Sequence, residues 1–169
     1  MAVSPINLAD GQRAERKLLI TVAEWTEGSD NVREILGTRT EDSSIDYNPD
    51  IETTTDILGI NYTDMNRTQP QQDFDPYLIL GGSKLGAKLN DIRRRNALSE
   101  LNQFTVYIIT AFIGTAGSYA AEKHTDCTIA YNSIGGDTNV NMPISVYFSN
   151  KITTGTVDKL ADDFEFTPA

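Results

Sequence analysis

The 169-residue sequence has few of the side chains on which most catalytic and metal sites depend. It contains one cysteine, one histidine and one tryptophan. One cysteine and one histidine cannot supply the three or four nitrogen and sulfur ligands of a zinc site, and the lone Cys127 cannot form an internal disulfide. His124 would have to be the base of any nucleophilic triad, but a histidine packed on a strand is the simpler interpretation. We therefore predict no enzyme, no cofactor and no metal site.

Basic residues and long apolar runs are also scarce. The chain carries 14 Lys and Arg against 24 Asp and Glu, a formal net charge of −10. Surfaces that bind nucleic acid tightly cluster Lys and Arg, so this balance argues against such a surface but not against passage of nucleic acid without binding. The longest apolar run, from Val106 to Gly114, is too short to span a bilayer, and no signal peptide is recognisable. We expect an intracellular product that does not associate with membranes.

The most unusual part of the sequence is an acidic segment, EDSSIDYNPDIETTTDILG (41–59), with six carboxylates and no basic residue. Apolar or β-branched residues alternate with polar, largely acidic ones, which is typical of a strand with one buried face. The pattern predicts a hairpin with its turn at residues 48–50. The side expected to face the core comprises Ile45, Tyr47, Ile51 and Ile57. The acidic side comprises Asp42, Asp46, Glu52 and Asp56, and its spacing does not fit an EF-hand calcium loop.

The rest of the chain predicts a single, mainly β domain over residues 1–169. A polar N-terminal arm (1–16) precedes a strand in RKLLITVAEWTEG, and a long loop (59–75) precedes a helix (83–102) with Ser83 as its N-cap. Strand-like segments follow from Phe104 onward, including a hairpin around Ser149-Asn150, and a polar tail (161–169) ends the chain. The predicted fold is a β-sandwich or partial barrel with one flanking α-helix.

Two segments resemble the major tail tube proteins of long-tailed (siphovirus-like) bacteriophages, in particular those that infect Gram-positive hosts. One is WTEGSDNVREILGTRTEDSSIDYNPDIETTTDILG (25–59). The other is NSIGGDTNVNMPISVYFSNKITTGTVDKL (132–160), where a Gly-Gly-Asp turn leads into strands around TGTV, followed by FEFTP. The inner tube proteins of contractile tails share this fold, so a tail-like bacteriocin or contractile injection particle is a close variant of the same interpretation.

The resemblance implies a structural virion protein that forms stacked hexameric rings around a channel that conducts DNA. The long loop and the termini would reach between subunits and between rings. Implied partners are further copies of the chain, a tape-measure protein, and tail terminator or baseplate proteins, with assembly in the host cytoplasm and a final place in the phage tail. An acidic channel would let DNA pass without binding, because phosphate contacts with Lys or Arg would retard it.

Two sets of residues follow from this hypothesis. The acidic side of the predicted hairpin would face the channel, with the contact between rings as the alternative. The residues expected at contacts between subunits or rings are Tyr62, Asp64, Asn66, Arg67, Gln71, Asp73, Arg93, Arg94 and Arg95. The arginine triplet lies mostly on the outer helix face, where it is either a solvated surface or a cationic partner for the acidic surface of another subunit.

The alternative from another class is a carbohydrate-binding or adhesin-like β-sandwich. Such a protein needs exposed aromatic residues on one face or a calcium site. The only tryptophan, Trp25, ends a strand where core packing explains it. A carboxylate pair for glycoside hydrolysis would lack the same aromatic platform.

Overall fold

The computed structural model describes residues 3–169. Within that range the chain forms eleven strands, one α-helix and two short 3-10 helices. The strands are β1 (Leu19–Glu27), β2 (Asp30–Ile35), β3 (Ile45–Asp46), β4 (Asp50–Thr55), β5 (Asn61–Arg67), β6 (Gln71–Phe74), β7 (Phe104–Thr115), β8 (Ser118–Tyr131), β9 (Ile144–Tyr147), β10 (Ile152–Val157) and β11 (Phe166–Pro168). The α-helix α1 spans Lys84–Arg95, and the 3-10 helices span Arg16–Leu18 and Leu98–Asn102. The prediction of a mainly β chain with one α-helix is confirmed.

Strand β8 is shared by two antiparallel sheets. In the first sheet the strand order is β2, β1, β7, β8, β10 and β11. In the second sheet the order is β8, β9, β6 and β3. Because β8 is 14 residues long, its first half can pair with β10 and its second half with β9.

A bulge in β8 separates these two halves. Phe104 and Val106 of β7 pair with Cys127 and His124 of β8, so β8 has one extra residue at this step. Asp126, inside the step, has a φ of 56°. An extra residue in a non-extended conformation bends a strand and interrupts its ladder, so the second half of β8 leaves β10 and pairs with β9.

The main core lies between the two sheets and α1. It brings together Trp25 and Val106 from the first sheet, Phe74 and Ile144 from the second, and Leu89 from the helix, all of them buried. Fully burying side chains of this size contributes about 1.5–3 kcal/mol each. The helix therefore packs on the sheets as the flanking element that the sequence predicts.

Helix α1 is shorter than the predicted helix over 83–102. Ser83 is the N-cap, as predicted, and its Oγ accepts a hydrogen bond from the Gly86 backbone N–H at 3.2 Å. The α-helix ends because Asn96 takes a left-handed conformation with a φ of 53°, which is common at helix C-termini. The separate 3-10 helix that follows leaves Leu98 exposed and Leu101 buried.

The acidic segment does not form the predicted hairpin. β3 pairs with β6, whereas β4 pairs with β5, so the turn at 48–50 joins two different sheets. Asn48 has a φ of 44°, which turns the chain away from β3 at this point. Of the side chains expected to face the core, Ile45 packs against it, but Tyr47, Ile51 and Ile57 are exposed. The prediction of one hairpin with an apolar core-facing side is therefore wrong.

The predicted long loop over 59–75 is also mostly strand. It contains β5 and β6, and its first part is the second strand of a hairpin with β4. The hairpin around Ser149-Asn150 is likewise absent from the described chain, because β9 and β10 each pair with β8 and not with each other. The strands on either side of Ser149-Asn150 are predicted correctly, but their partner is β8, which lies earlier in the sequence.

The C-terminal segment is part of the fold and not a free polar tail. β11 pairs with β10, and Phe164 is 3% exposed in a second apolar cluster on the other face of the first sheet. That cluster also contains Val22, Tyr107 and Ile109. The carboxylates of this segment predict a polar tail, but its phenylalanines Phe164 and Phe166 pack in the second cluster and hold the segment on the sheet.

The N-terminal arm, whose first two residues lie outside the described range, runs against the end of β7. The Asn7 backbone N–H donates to the Phe112 carbonyl at 2.9 Å, and its side-chain Nδ2 donates to the Gly114 carbonyl at 2.9 Å. Gly114 has a φ of 100°, and a Cβ there would lie 2.3 Å from the Ser118 carbonyl oxygen. Glycine is therefore required where the arm meets the turn between β7 and β8.

Candidate assembly surface

The hairpin formed by β4 and β5, hereafter the 50–67 hairpin, stands apart from the rest of the fold. Every residue of both strands is exposed, and the two strands form a sheet of their own. Within residues 3–169 no other helix or strand packs along it. An isolated two-stranded hairpin is only marginally stable in water, so a surface on another molecule would stabilise it.

The tip of the 50–67 hairpin is apolar and exposed. Ile57 is 102% exposed and Leu58 is 78% exposed. Asp56 fixes the turn: its Oδ1 accepts from the backbone N–H groups of Leu58 at 2.8 Å and Ile60 at 3.0 Å, and its Oδ2 accepts from the Tyr62 hydroxyl at 3.2 Å. The turn therefore holds two large apolar side chains at the far end of the hairpin.

Acidification is expected to loosen this tip. Hydrogen bonds lower the pKa of Asp56 below its usual value; they come from the backbone N–H groups of Ile60 and Leu58 and from the Tyr62 hydroxyl. The pKa is lower in the folded state than in the unfolded state. The stabilisation of the tip by ionised Asp56 is therefore complete above the unfolded pKa of about 3.9, and it is lost as the pH falls through the folded pKa. An NMR titration should show the Leu58 and Ile60 amide shifts following Asp56 protonation, and Asp56→Asn should abolish that dependence. A pKa of Asp56 at or above the usual value would contradict this.

The two faces of the 50–67 hairpin differ in character. On one face Ile51 lies opposite Met65, and both are exposed. On the other face Glu52 lies opposite Asp64, an arrangement of like charges that is destabilising in a strand pair. One face thus offers an apolar pair to a neighbour, and the other offers two carboxylates that a cation would stabilise.

The structure separates the four carboxylates expected to line a channel. Asp42 and Asp46 lie on the body of the fold, before and within β3, and both are exposed. Glu52 and Asp56 belong to the 50–67 hairpin. The four side chains do not form one strip of a single hairpin, because β3 and β4 belong to different sheets.

The residues expected at subunit contacts are also divided. Tyr62, Asp64, Asn66 and Arg67 lie along β5 and are exposed. Gln71 and Asp73 belong to β6 in the body of the fold. The Asp73 carboxylate accepts from the Ser145 hydroxyl at 2.6 Å and from Gln71 Nε2 at 2.9 Å, so both side chains already have partners in their own chain.

The arginine triplet occupies the last turn of α1. Arg95 is 2.7 Å from the Asp91 carboxylate and 2.9 Å from that of Glu100, and these pairs hold the pKa of both carboxyl groups below their usual values. Arg93 donates to Asn90 Oδ1 at 2.8 Å. Arg94 is exposed. The triplet therefore stabilises its own helix end, where cations also complement the helix dipole.

Sequence reasoning missed a charged cluster beneath the C-terminal segment. Glu24 is 8% exposed, its carboxylate is 2.5 Å from Arg33 Nε, and it accepts from the Tyr107 hydroxyl at 3.3 Å. The Arg33 guanidinium lies 4.1 Å from the centre of the Phe164 ring and donates to the Phe164 carbonyl. Burial, with the nearby Glu24 charge, raises the pKa of Tyr107. The sequence signal for this cluster was the alternation of side chains along β1, which places Glu24 on the same face as the buried Val22.

The rare side chains of the sequence occupy packed positions. His124 is 2% exposed, its Nε2 is 3.2 Å from the Glu122 carboxylate, and its ring packs edge-on against Phe148. Cys127 is fully buried, and burial raises the pKa of its thiol. Across the described chain no group of three or more His, Cys, Asp or Glu side chains could hold a metal ion. No helix within residues 3–169 has the length and apolar character needed to cross a membrane.

No protein-family model and no curated protein matches this sequence. Three chains of solved structures are similar to this one over most of their length. A chain of the anti-feeding prophage cap (the tube terminating cap) is 13% identical with a TM-score of 0.49, covering 92% of this chain and 99% of that one. A chain of the sheath-tube complex of an extracellular contractile injection system, in its extended state, is 11% identical with a TM-score of 0.49, covering 87% and 94%. A chain of the six-fold symmetrised anti-feeding prophage baseplate is 7% identical with a TM-score of 0.51, covering 85% of this chain and 96% of that one, so the two share a fold.

Proposed function

We propose that this protein is a structural subunit of a phage-tail-like particle and that copies of it assemble into stacked rings around a central channel. The observation that carries the proposal is the 50–67 hairpin, with both strands exposed and two apolar side chains at its tip. A protein that works as a monomer gains nothing from such an arm, whereas a ring subunit uses it to hold a neighbour.

Two further points support a particular kind of particle. The fold shared with a component of the anti-feeding prophage baseplate supports a tail-like assembly. The sequence resemblance to tail tube proteins of long-tailed phages favours the tube itself, built from six subunits per ring. Its partners would then be a tape-measure protein along the channel and terminator or baseplate proteins at the ends, in a tail assembled in the host cytoplasm. A contractile injection particle is the variant that the fold favours.

The net charge of −10 suits a channel for DNA. An acidic wall repels phosphate and avoids the contacts with Lys or Arg that would hold DNA in place. The channel wall is the role we assign to Asp42 and Asp46 on the body of the fold. Glu52 and Asp56 instead belong to the hairpin, where their charge would serve the contact between copies.

Purified protein is expected to form hollow rings that stack into tubes as its concentration rises. Light scattering after gel filtration would give the subunit number, and electron microscopy of stained particles would show the channel and its symmetry. A reconstruction would also show whether Asp42 and Asp46 face that channel. A protein that stays monomeric at high concentration, or that melts at a higher temperature with calcium or binds glycans, would contradict the proposal.

A further inference from the structure

A cavity of about 490 Å³ opens between the 3-10 turn at Arg16–Leu18, the ends of β1 and β2, and the loop that precedes β3. Its apolar walls are formed by Leu19, Ile20, Ile35, Leu36, Phe74 and Leu160. The polar groups at its base are already paired: the Thr21 hydroxyl donates to Gln72 Oε1 at 2.8 Å, and Gln72 Nε2 donates to Ser43 Oγ at 3.1 Å. The cavity is therefore suited to apolar side chains.

The rim of this cavity carries more basic than acidic groups. Of the charged residues that line it, Arg16 and Lys17 are basic and Glu41 is acidic, and Lys17 is 2.8 Å from the Glu15 carboxylate. Arg16 is held in place, since its guanidinium donates to the carbonyls of Leu19 at 2.6 Å and Ser43 at 2.8 Å. On a chain of net charge −10, such a rim is unusual. A cavity beside Val32, by contrast, has more acidic than basic residues around it: Glu27, Asp162 and Asp163 against Arg33 and Lys84.

The 50–67 hairpin matches this cavity in both respects. Its tip presents Ile57 and Leu58, and the carboxylate at that tip is Asp56. The hairpin tip cannot reach the cavity of its own chain, because ten residues of extended chain place the tip about 30 Å from the base of the hairpin at Asn48. Ser43, on the cavity wall, lies only a few residues before that base. A second copy of the chain can bring the tip and the cavity together.

We infer that the tip of the 50–67 hairpin of one copy inserts into the cavity of a second copy, with Ile57 and Leu58 against its apolar walls and Asp56 near Arg16 and Lys17. This rests on the proposed self-assembly and names the surface that receives the hairpin. Because the tip and the cavity are different surfaces, the contact is head-to-tail, and repeating it closes a ring or extends a filament.

Disulfide trapping between two variants tests the contact directly. Leu58→Cys and Thr38→Cys are exposed positions on the tip and on the cavity rim, and the native Cys127 is buried. Mixed under mild oxidation, the two variants are expected to form a disulfide-linked pair, identified by mass spectrometry. Leu58→Cys mixed with Ser118→Cys, an exposed position at a different cavity, is the matched control. Trapping that is as efficient with the control, or absent with Thr38→Cys, in assembled samples would overturn the inference.

Charge reversal on the rim provides a second measurement. Lys17→Glu is expected to weaken association by roughly tenfold at low salt and less at high salt. Lys151→Glu makes the same change in net charge at an exposed position away from the cavity and should have little effect. Equal weakening by both variants would count against the rim contact. If the unmodified chain does not associate at all, the proposed function itself fails.

Discussion

A chain in which residues 49–68 are replaced by one glycine is expected to fold normally and to remain monomeric where the full chain forms rings. The structure supports this design, because the Gln69 backbone N–H donates to the Tyr47 carbonyl at 2.8 Å. Joining Tyr47 and Gln69 through Asn48-Gly gives a two-residue hairpin turn, and Asn48 already has a positive φ of 44°. The deletion removes no residue of either apolar cluster.

The readouts for this shortened chain are circular dichroism for the fold and sedimentation for the assembly. Thermal melting within a few degrees of the full chain, with loss of rings, is the expected result. Ile57→Asp with Leu58→Asp is the matched control, since it keeps both strands and changes only the tip; it should also give monomers. Rings of normal size from the shortened chain would show that the hairpin is not needed for assembly, and rings from the tip variant would show that its apolar tip is not needed. An unfolded shortened chain would show that the hairpin is part of the fold.

Phe164→Ala is expected to lower the free energy of unfolding by about 3–5 kcal/mol, the range for deleting a buried aromatic side chain. Phe164 is 3% exposed, and its ring packs edge-on against Tyr107 with the ring centres 5.0 Å apart. The same ring covers Arg33, whose guanidinium balances the buried carboxylate of Glu24. The substitution therefore opens a cavity and exposes a charged pair at once.

Urea denaturation of Phe164→Ala and Phe164→Leu would measure this effect. Leucine keeps most of the apolar volume and should cost less than about 1.5 kcal/mol, whereas alanine should lower the melting temperature by roughly 6–20 °C. A loss below about 1 kcal/mol for alanine would mean that the C-terminal segment is only loosely attached. Assembly should survive in Phe164→Leu, because the ring lies away from the 50–67 hairpin and the residue is not on the cavity wall.

Much of the fold could be predicted because its signals are local. Ser83 before a row of apolar residues at helical spacing is enough to start α1, and the apolar strand that begins at Leu19 has no other plausible form. The end of α1 was harder to predict, since the apolar spacing continues through Leu98 and Leu101. The left-handed conformation of Asn96 decides where the helix ends, and asparagine alone is a weak signal for it.

The candidate site could be predicted only in part, because alternation does not reveal what covers a face. Ile51 and Ile57 have the spacing of core residues and yet are exposed. Strand pairing is not always local either: β4 pairs with the segment that follows it, but β3 pairs with one that lies further on, since Ile45 and its partner Gln72 are 27 positions apart. The sequence therefore showed that apolar and polar residues alternate in the acidic segment, but not that part of the segment belongs to the exposed 50–67 hairpin.

The order in which the ribosome delivers these parts sets when assembly can begin. The 50–67 hairpin is complete within a short stretch of chain. The body must wait, since Glu24 and its partner Tyr107 are 83 positions apart. The cavity forms later still, because Leu160 is part of its wall and is synthesised near the end of the chain. A nascent chain thus has its 50–67 hairpin well before it has a cavity. A prematurely terminated chain would insert its hairpin into a neighbour's cavity but would have no cavity for the next hairpin. Such a chain would stop the growth of the assembly.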